Sequence, residues 1–182
     1  SKEWSAKPVL RHGFFAIVVS MNDELRGERL KKLEILKEKG INPYPSESGR
    51  THSIKSVLDD FESFENSQEE VTLAGRLMSV REHGGSAFID INDGTGKVQG
   101  YLKEDEIDKE LFDLFIATAD NGDFINVSGP LFTTKRGQQS VMVKNWTMLT
   151  KSLAPLPDKF HGLQDDELRY RKRHLDLSLI HI

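Results

Sequence analysis

The sequence predicts a mainly β domain with helices: five short strands, a helix between the third and fourth, and another helix ahead of the first. Three observations carry this. From residue 71 the apolar residues alternate with a period of two, as on a pleated strand. The alternation is interrupted at 105–119, where Ile107, Leu111, Leu114 and Phe115 fall at helical spacing. A Leu-striped stretch closed by Gly40 precedes the whole. Five strands broken after the third by a helix fit the OB fold, a partly open Greek-key barrel.

In chain order, residues 1–20 are expected to be a non-native or disordered extension. Their apolar run GFFAIVV (13–19) is too short for a secretory signal, and the SMND after it is no small-residue cleavage site, so Met21 reads as the natural start. Residues 21–70 form an N-terminal segment. Its helix spans 22–39, with Asn22 or Asp23 able to cap it, Leu30, Leu33 and Leu36 as a narrow apolar stripe, and Gly40 ending it in the left-handed conformation. INPYP (41–45) turns the chain, because its two prolines forbid further helix. The polar connection 46–70 holds one short helix near 54–64.

The barrel spans 71–151. VTLAGRLMSV (71–80) is its first strand, with a bulge expected at Gly75. SAFIDI (86–91) and KVQGYL (97–102) follow, joined by the turn NDGTG (92–96). After the acidic helix, whose charges read as solvated, FINVSGPLF (124–132) and QSVMVKNWTML (139–149) are the last strands, around a turn at Arg136-Gly137 and with Trp146 in the core. Residues 152–182 read as a linker, with Pro155, Pro157 and the basic run RYRKRH (169–174).

Composition narrows the function classes. The absence of cysteine excludes disulfides and thiolate metal sites and suits a reducing cytoplasm. The six histidines show no metal-ligand spacing, so no metal site is expected. No apolar run approaches the ~20 residues that span a bilayer, so no membrane partner is expected. The net charge is −4, yet it is unevenly spread: 59–70 hold six acids and no base, and 104–123 hold eight acids and one Lys. These segments carry 13 net negative charges, which leaves the rest at +9. That fits a polyanionic partner meeting the basic part alone. Arg26, Arg29, Lys31, Lys32, Lys37 and Lys39 on the first helix are the candidate phosphate contacts.

GTGK (94–97) is not a phosphate loop, since Ile91 and Val98 stand where that motif needs Gly and Ser or Thr. Phe88 is the more informative residue. It projects from the middle of the second strand onto the polar face, beside Lys97, Gln99 and Tyr101 of the third. A ring so placed either stacks an unpaired base, with the amide and basic groups reaching the base edge, or packs beneath a helix or loop. The residues alone leave both readings open.

A resemblance decides between them. PLPDKFHGLQDDELRYRKRHLDL (155–177) closely resembles the segment joining the anticodon-binding and catalytic domains of bacterial-type class II lysyl-tRNA synthetases. RLKKLEILKEKGINPYP (29–45) is similar to that family's N-terminal helix and exit turn, and VTLAGRLMSVREHGGSAFIDINDGTGKVQGYL (71–102) to its first three barrel strands. The resemblance covers residues 21–177; the related aspartyl and asparaginyl enzymes share the barrel but not the DKFHGL linker.

The resemblance implies ATP-dependent attachment of lysine to tRNA by a cytoplasmic homodimer, with ATP and Mg²⁺ serving the full-length family. It implies a barrel that reads the U-rich anticodon of lysine tRNA, with Arg81, Phe88 and Gln99 contacting splayed bases and Phe88 as the stacking platform. Gln138 stands where many members carry Glu; it accepts a hydrogen bond as Glu would, but also donates. The catalytic motifs that follow LDL in the family do not follow it here, and SLIHI (178–182) does not resemble the continuation. The expectation is a fragment of a truncated reading frame, monomeric, with no catalytic residue, no cofactor of its own and no lysine activation. The rival readings are a sequence-tolerant single-strand-binding OB protein and an interaction module that binds no nucleic acid.

Overall fold

The computed structural model describes the backbone of residues 11–154 and the side chains from residue 24 onward. The expectations placed on 1–10 and on the linker from 155 lie outside the described residues. Helix α1 (Arg11–Glu38) begins well before residue 22, so Asn22 and Asp23 lie within it instead of capping it. The stretch 11–21 holds one Gly and no Pro, and nothing in it stops a helix from propagating. Its C-terminus is as expected. Gly40 has φ +75°, its N–H donates to Lys37 O (3.0 Å), and the Ile41 N–H reaches back to Leu36 O (3.0 Å). This is a Schellman closure, with half-buried Ile41 packed on the core around Leu36. Leu33 and Leu36 are buried, whereas Leu30 is exposed.

The single helix expected near 54–64 is two: α2 (Ile54–Asp59) and α3 (Phe61–Ser67), separated at Asp60. Ser53 caps α2 through the Ser56 N–H, and Ile54, Val57 and Phe61 seat the pair on the core.

The sheet consists of β1 (Val71–His83), β2 (Ser86–Asn92), β3 (Lys97–Lys103), β4 (Phe124–Gly129), β5 (Leu131–Thr133), β6 (Gln139–Val143) and β7 (Asn145–Thr150). The expectation of five strands is therefore corrected to seven, in the order β5-β6-β3-β2-β1-β4-β7. The last two predicted strands are each broken once. At Gly129-Pro130 the chain turns so close to its neighbour that a Cβ on Gly129 would lie 1.8 Å from Met142 O. At Lys144 the chain leaves β3, which β6 pairs in parallel, and joins β4, which β7 pairs antiparallel. The hydrogen-bonded ladder is open, and the covalent step from β6 to β7 brings its two ends together as an OB fold requires.

The expected bulge at Gly75 is also corrected. Gly75 pairs regularly with Ile125, and its missing side chain makes room for Ile91 and Asn92. The irregularity falls between Leu77 and Ser79, so Met78 is the extra residue. Before it the odd residues of β1 face inward (Leu73, Leu77); after it Val80 pairs with inward Ile89.

Helix α4 (Lys109–Thr118) starts four residues later than expected, because Asp108 caps it by accepting from the Glu110 N–H at 2.8 Å. It covers one end of the barrel with Phe112 and Phe115, joined by buried Ile107 just ahead of it; Leu111 and Leu114 are half-buried. Trp146 is in the core as predicted. It meets Phe115 edge-on (5.1 Å between centroids) and donates its indole N–H to Leu111 O at 3.0 Å.

Charged groups dock α1 on this end. Buried Lys151 donates to Asp123 (2.7 Å), Asp120 (2.6 Å) and Thr118 O (2.6 Å). Lys32 of α1 reaches Asp120 at 2.7 Å, and Arg29 donates to Asn121 O, Ser152 O and Ala154 O at 2.9–3.1 Å. Burial alone would raise the Asp120 carboxyl, but the hydrogen bonds from Lys151 and Lys32 outweigh it and hold it below the usual carboxylate range.

Candidate nucleic-acid interface

The outer face of β1, β2, β3 and β6 presents two cross-strand rows. Register aligns Arg81, Phe88, Tyr101 and Met142 in one row, and Ser79, Asp90, Gln99, Ser140 and Phe132 in the next. The Met78 bulge brings Arg81 into its row. Were Met78 paired in a regular ladder instead, Arg81 would share the phase of Leu77 and point into the core, because a one-residue shift reverses every side chain of a strand.

Phe88 is neither fully exposed nor buried. Its ring stacks on Tyr101 (4.7 Å between centroids, 30° between planes), and Tyr101 meets Phe132 at 6.0 Å. The polar face thus carries a strip of three aromatic rings. Phe132 was not expected here. It lay within a strand predicted as unbroken, whereas in the fold it follows the Gly129-Pro130 break and stands opposite Ser140.

The charges beside the strip are organised around Asp90. Its carboxylate accepts from the Ser79 hydroxyl (2.6 Å) and lies 3.4 Å from Arg81 Nη2 and 3.5 Å from Lys97 Nζ. Two exposed cations on one half-buried acid leave a net positive centre. Gln99 stands directly opposite Asp90, and its Oε1 is 3.1 Å from the hydroxyl of buried Ser140. Gln138, on the β5–β6 turn, is exposed; its carbonyl accepts from the Thr134 N–H (2.9 Å) and lies 3.2 Å from the same Ser140 hydroxyl. The four predicted base-contacting residues Arg81, Phe88, Gln99 and Gln138 therefore meet on one face and its edge.

The six helix cations divide. Arg29 and Lys32 direct their donors to the barrel end and the chain after β7, so their first role is to dock α1. Lys31 pairs with Glu28 at 2.9 Å on the surface, and Arg26, Lys37 and Lys39 are exposed or half-exposed. Residues 94–97 form a hairpin turn, as read from the sequence. Asp93 accepts from the N–H groups of Thr95 and Gly96 and from the Ile54 N–H of α2, so donors a phosphate would need are already engaged. Burial would raise the Asp93 carboxyl, but these hydrogen bonds hold it below the usual range.

Among the described residues no group of His, Asp and Glu could hold a metal ion, and no helix is long and apolar enough to cross a membrane.

Residues 71–149 match the tRNA anticodon family, described as an OB-fold nucleic acid binding domain. A lysine–tRNA ligase of Methanoculleus marisnigri is 43% identical over 153 residues, 83% of this chain and 30% of that protein. The lysine–tRNA ligase of Moorella thermoacetica is 44% identical over 155 residues (85% and 31%), and that of Thermotoga maritima 37% identical over 161 residues (86% and 32%). The chain spans just under a third of the length of these relatives.

Proposed function

The chain is a homologue of the lysine–tRNA ligases and carries a tRNA anticodon-binding OB domain, and from that premise we propose that the outer face of its barrel binds the unpaired anticodon bases of a lysine tRNA on behalf of a ligase. The observation that carries the reading is the half-exposed Phe88 ring, held on Tyr101 and bordered by Arg81 and Gln99. One base stacks on Phe88, and Arg81, Gln99 and Gln138 address base edges around it. Arg26, Lys31, Lys37 and Lys39 meet backbone phosphates, while Arg29 and Lys32 hold the helix in place for them.

In this reading, joining lysine to tRNA with ATP and Mg²⁺ belongs to the whole ligase in the cytoplasm, working as a homodimer. The described residues supply tRNA recognition to that ligase, and no group of three or more His, Asp and Glu side chains among them could hold a metal ion. They form a recognition module, monomeric by itself.

Binding should require unpaired bases. An RNA hairpin whose loop displays UUU should bind the full chain, and the same strand annealed to its complement should bind at least tenfold more weakly at equal salt. Equal affinity for the duplex would refute the proposal, since stacking on Phe88 needs a base out of its helix.

A further inference from the structure

We propose that Ser140 is a specificity-determining positioning residue, which orients the Gln99 side-chain amide so that its NH₂ group faces the RNA and selects a carbonyl edge on the base. The inference rests on the anticodon-binding reading and adds to it a cause for base choice.

Ser140 is wholly buried and sits opposite Gln99 in the parallel β3–β6 pairing. Its hydroxyl has one proton and two acceptors in reach, Gln99 Oε1 at 3.1 Å and Gln138 O at 3.2 Å. Gln138 O is already satisfied by the Thr134 N–H at 2.9 Å, whereas Ser140 is the donor to Gln99 Oε1, which is also the nearer of the two acceptors. The other neighbour of Gln99 does not oppose this. Asp90, paired directly across on β2, is an acceptor-only carboxylate and offers Oε1 no donor, so it does not compete with Ser140 for that atom. With a donor for Oε1 on one side and no competing donor on the other, one of the two amide orientations is selected.

The orientation has a chemical consequence. An outward NH₂ donates but cannot accept. Uracil offers the O4 and O2 carbonyls to it, whereas cytosine replaces O4 with an amino group that would meet it donor to donor. Ser140 thereby converts a side chain that could read either pyrimidine into one that favours uridine.

The test compares RNA hairpins with UUU and UCU loops, binding to the full chain at fixed salt. Ser140→Ala changes volume little and should reduce the preference for UUU by about three- to tenfold, the worth of one hydrogen bond. It should leave the dependence on Phe88 intact. Gln99→Glu, at a half-buried position, replaces the outward donor with an acceptor and should shift the preference toward UCU. Thermal melts on each variant separate loss of fold from loss of choice. If Phe88→Ala leaves affinity for both loops unchanged, the interface reading fails and this inference with it. If Phe88→Ala weakens both loops while Ser140→Ala keeps the full UUU preference, or Gln99→Glu strengthens it, only the inference is overturned.

Discussion

Replacing Phe88 with Ala separates a stacking platform from a packing residue, because the two roles put the loss in different measurements. Stacking of a base on an aromatic ring contributes about 1–3 kcal/mol, so removing the ring should raise the Kd for a UUU hairpin about 5- to 150-fold. The structure also sets the stability cost. The ring gives up its pairing with Tyr101, worth about 0.5–1.5 kcal/mol. It also gives up roughly half the burial of a core side chain, about 1 kcal/mol more. A total near 2 kcal/mol is well below the ~3–5 kcal/mol expected for Phe115→Ala, whose ring is completely buried. In a domain of this size that is a fall in Tm of roughly 10 °C or less. Anisotropy titrations with a labelled hairpin give the first quantity and circular-dichroism melts the second. A Tm lowered as far as in Phe115→Ala, with affinity unchanged for the folded fraction, would refute the platform.

Other expectations follow from the charges. Reversing Arg26, Lys37 and Lys39 together should weaken every RNA loop alike and flatten the plot of log K against log salt by about 0.7 for each phosphate no longer neutralised; an unchanged slope in salt titrations would remove the helix from the interface. Lys151→Met leaves the fully buried Asp123 without its cation and should cost about 3–5 kcal/mol in urea unfolding, with much of the loss recovered in Lys151→Met/Asp123→Leu. The Asp120 carboxyl lies below its unfolded value of about 3.9, so its ionised form stabilises the fold above roughly pH 4 and that contribution fades as pH falls through the folded pKa. The stability gap between the native chain and Asp120→Asn should accordingly be full at pH 7 and shrink toward pH 3; a gap independent of pH would contradict the pairing.

What could be read from sequence and what could not differ for physical reasons. Period-two alternation located the five segments that hold the seven strands, since inward and outward residues must alternate on a pleat. It could not show the break at Gly129-Pro130, because burial keeps alternating straight through it; Pro130 was the only local signal. The Met78 bulge did leave a trace, the spacing of three between Leu77 and Val80, and it is what sets Arg81 beside Phe88. The Ser140–Gln99 contact joins residues 41 apart, and the Lys32–Asp120 pair residues 88 apart. No pattern within either segment marks them, so Lys32 and Arg29 read as candidate phosphate contacts like the other cations of the helix. Phe88 and Gln99 were visible from alternation on the polar face, their roles and Arg81 and Gln138 came from family resemblance, and the register shows why Arg81, Phe88 and Gln99 share one surface.

The central claim is that this barrel face recognises splayed, uridine-rich RNA bases in an anticodon loop. Its most direct test is competition between a UUU-loop hairpin of lysine tRNA and an oligo-dT of equal length for the full chain at one salt concentration. The hairpin should win by at least tenfold, and Phe88→Ala should remove most of its advantage. Equal competition by oligo-dT, unaltered by Phe88→Ala, would contradict it.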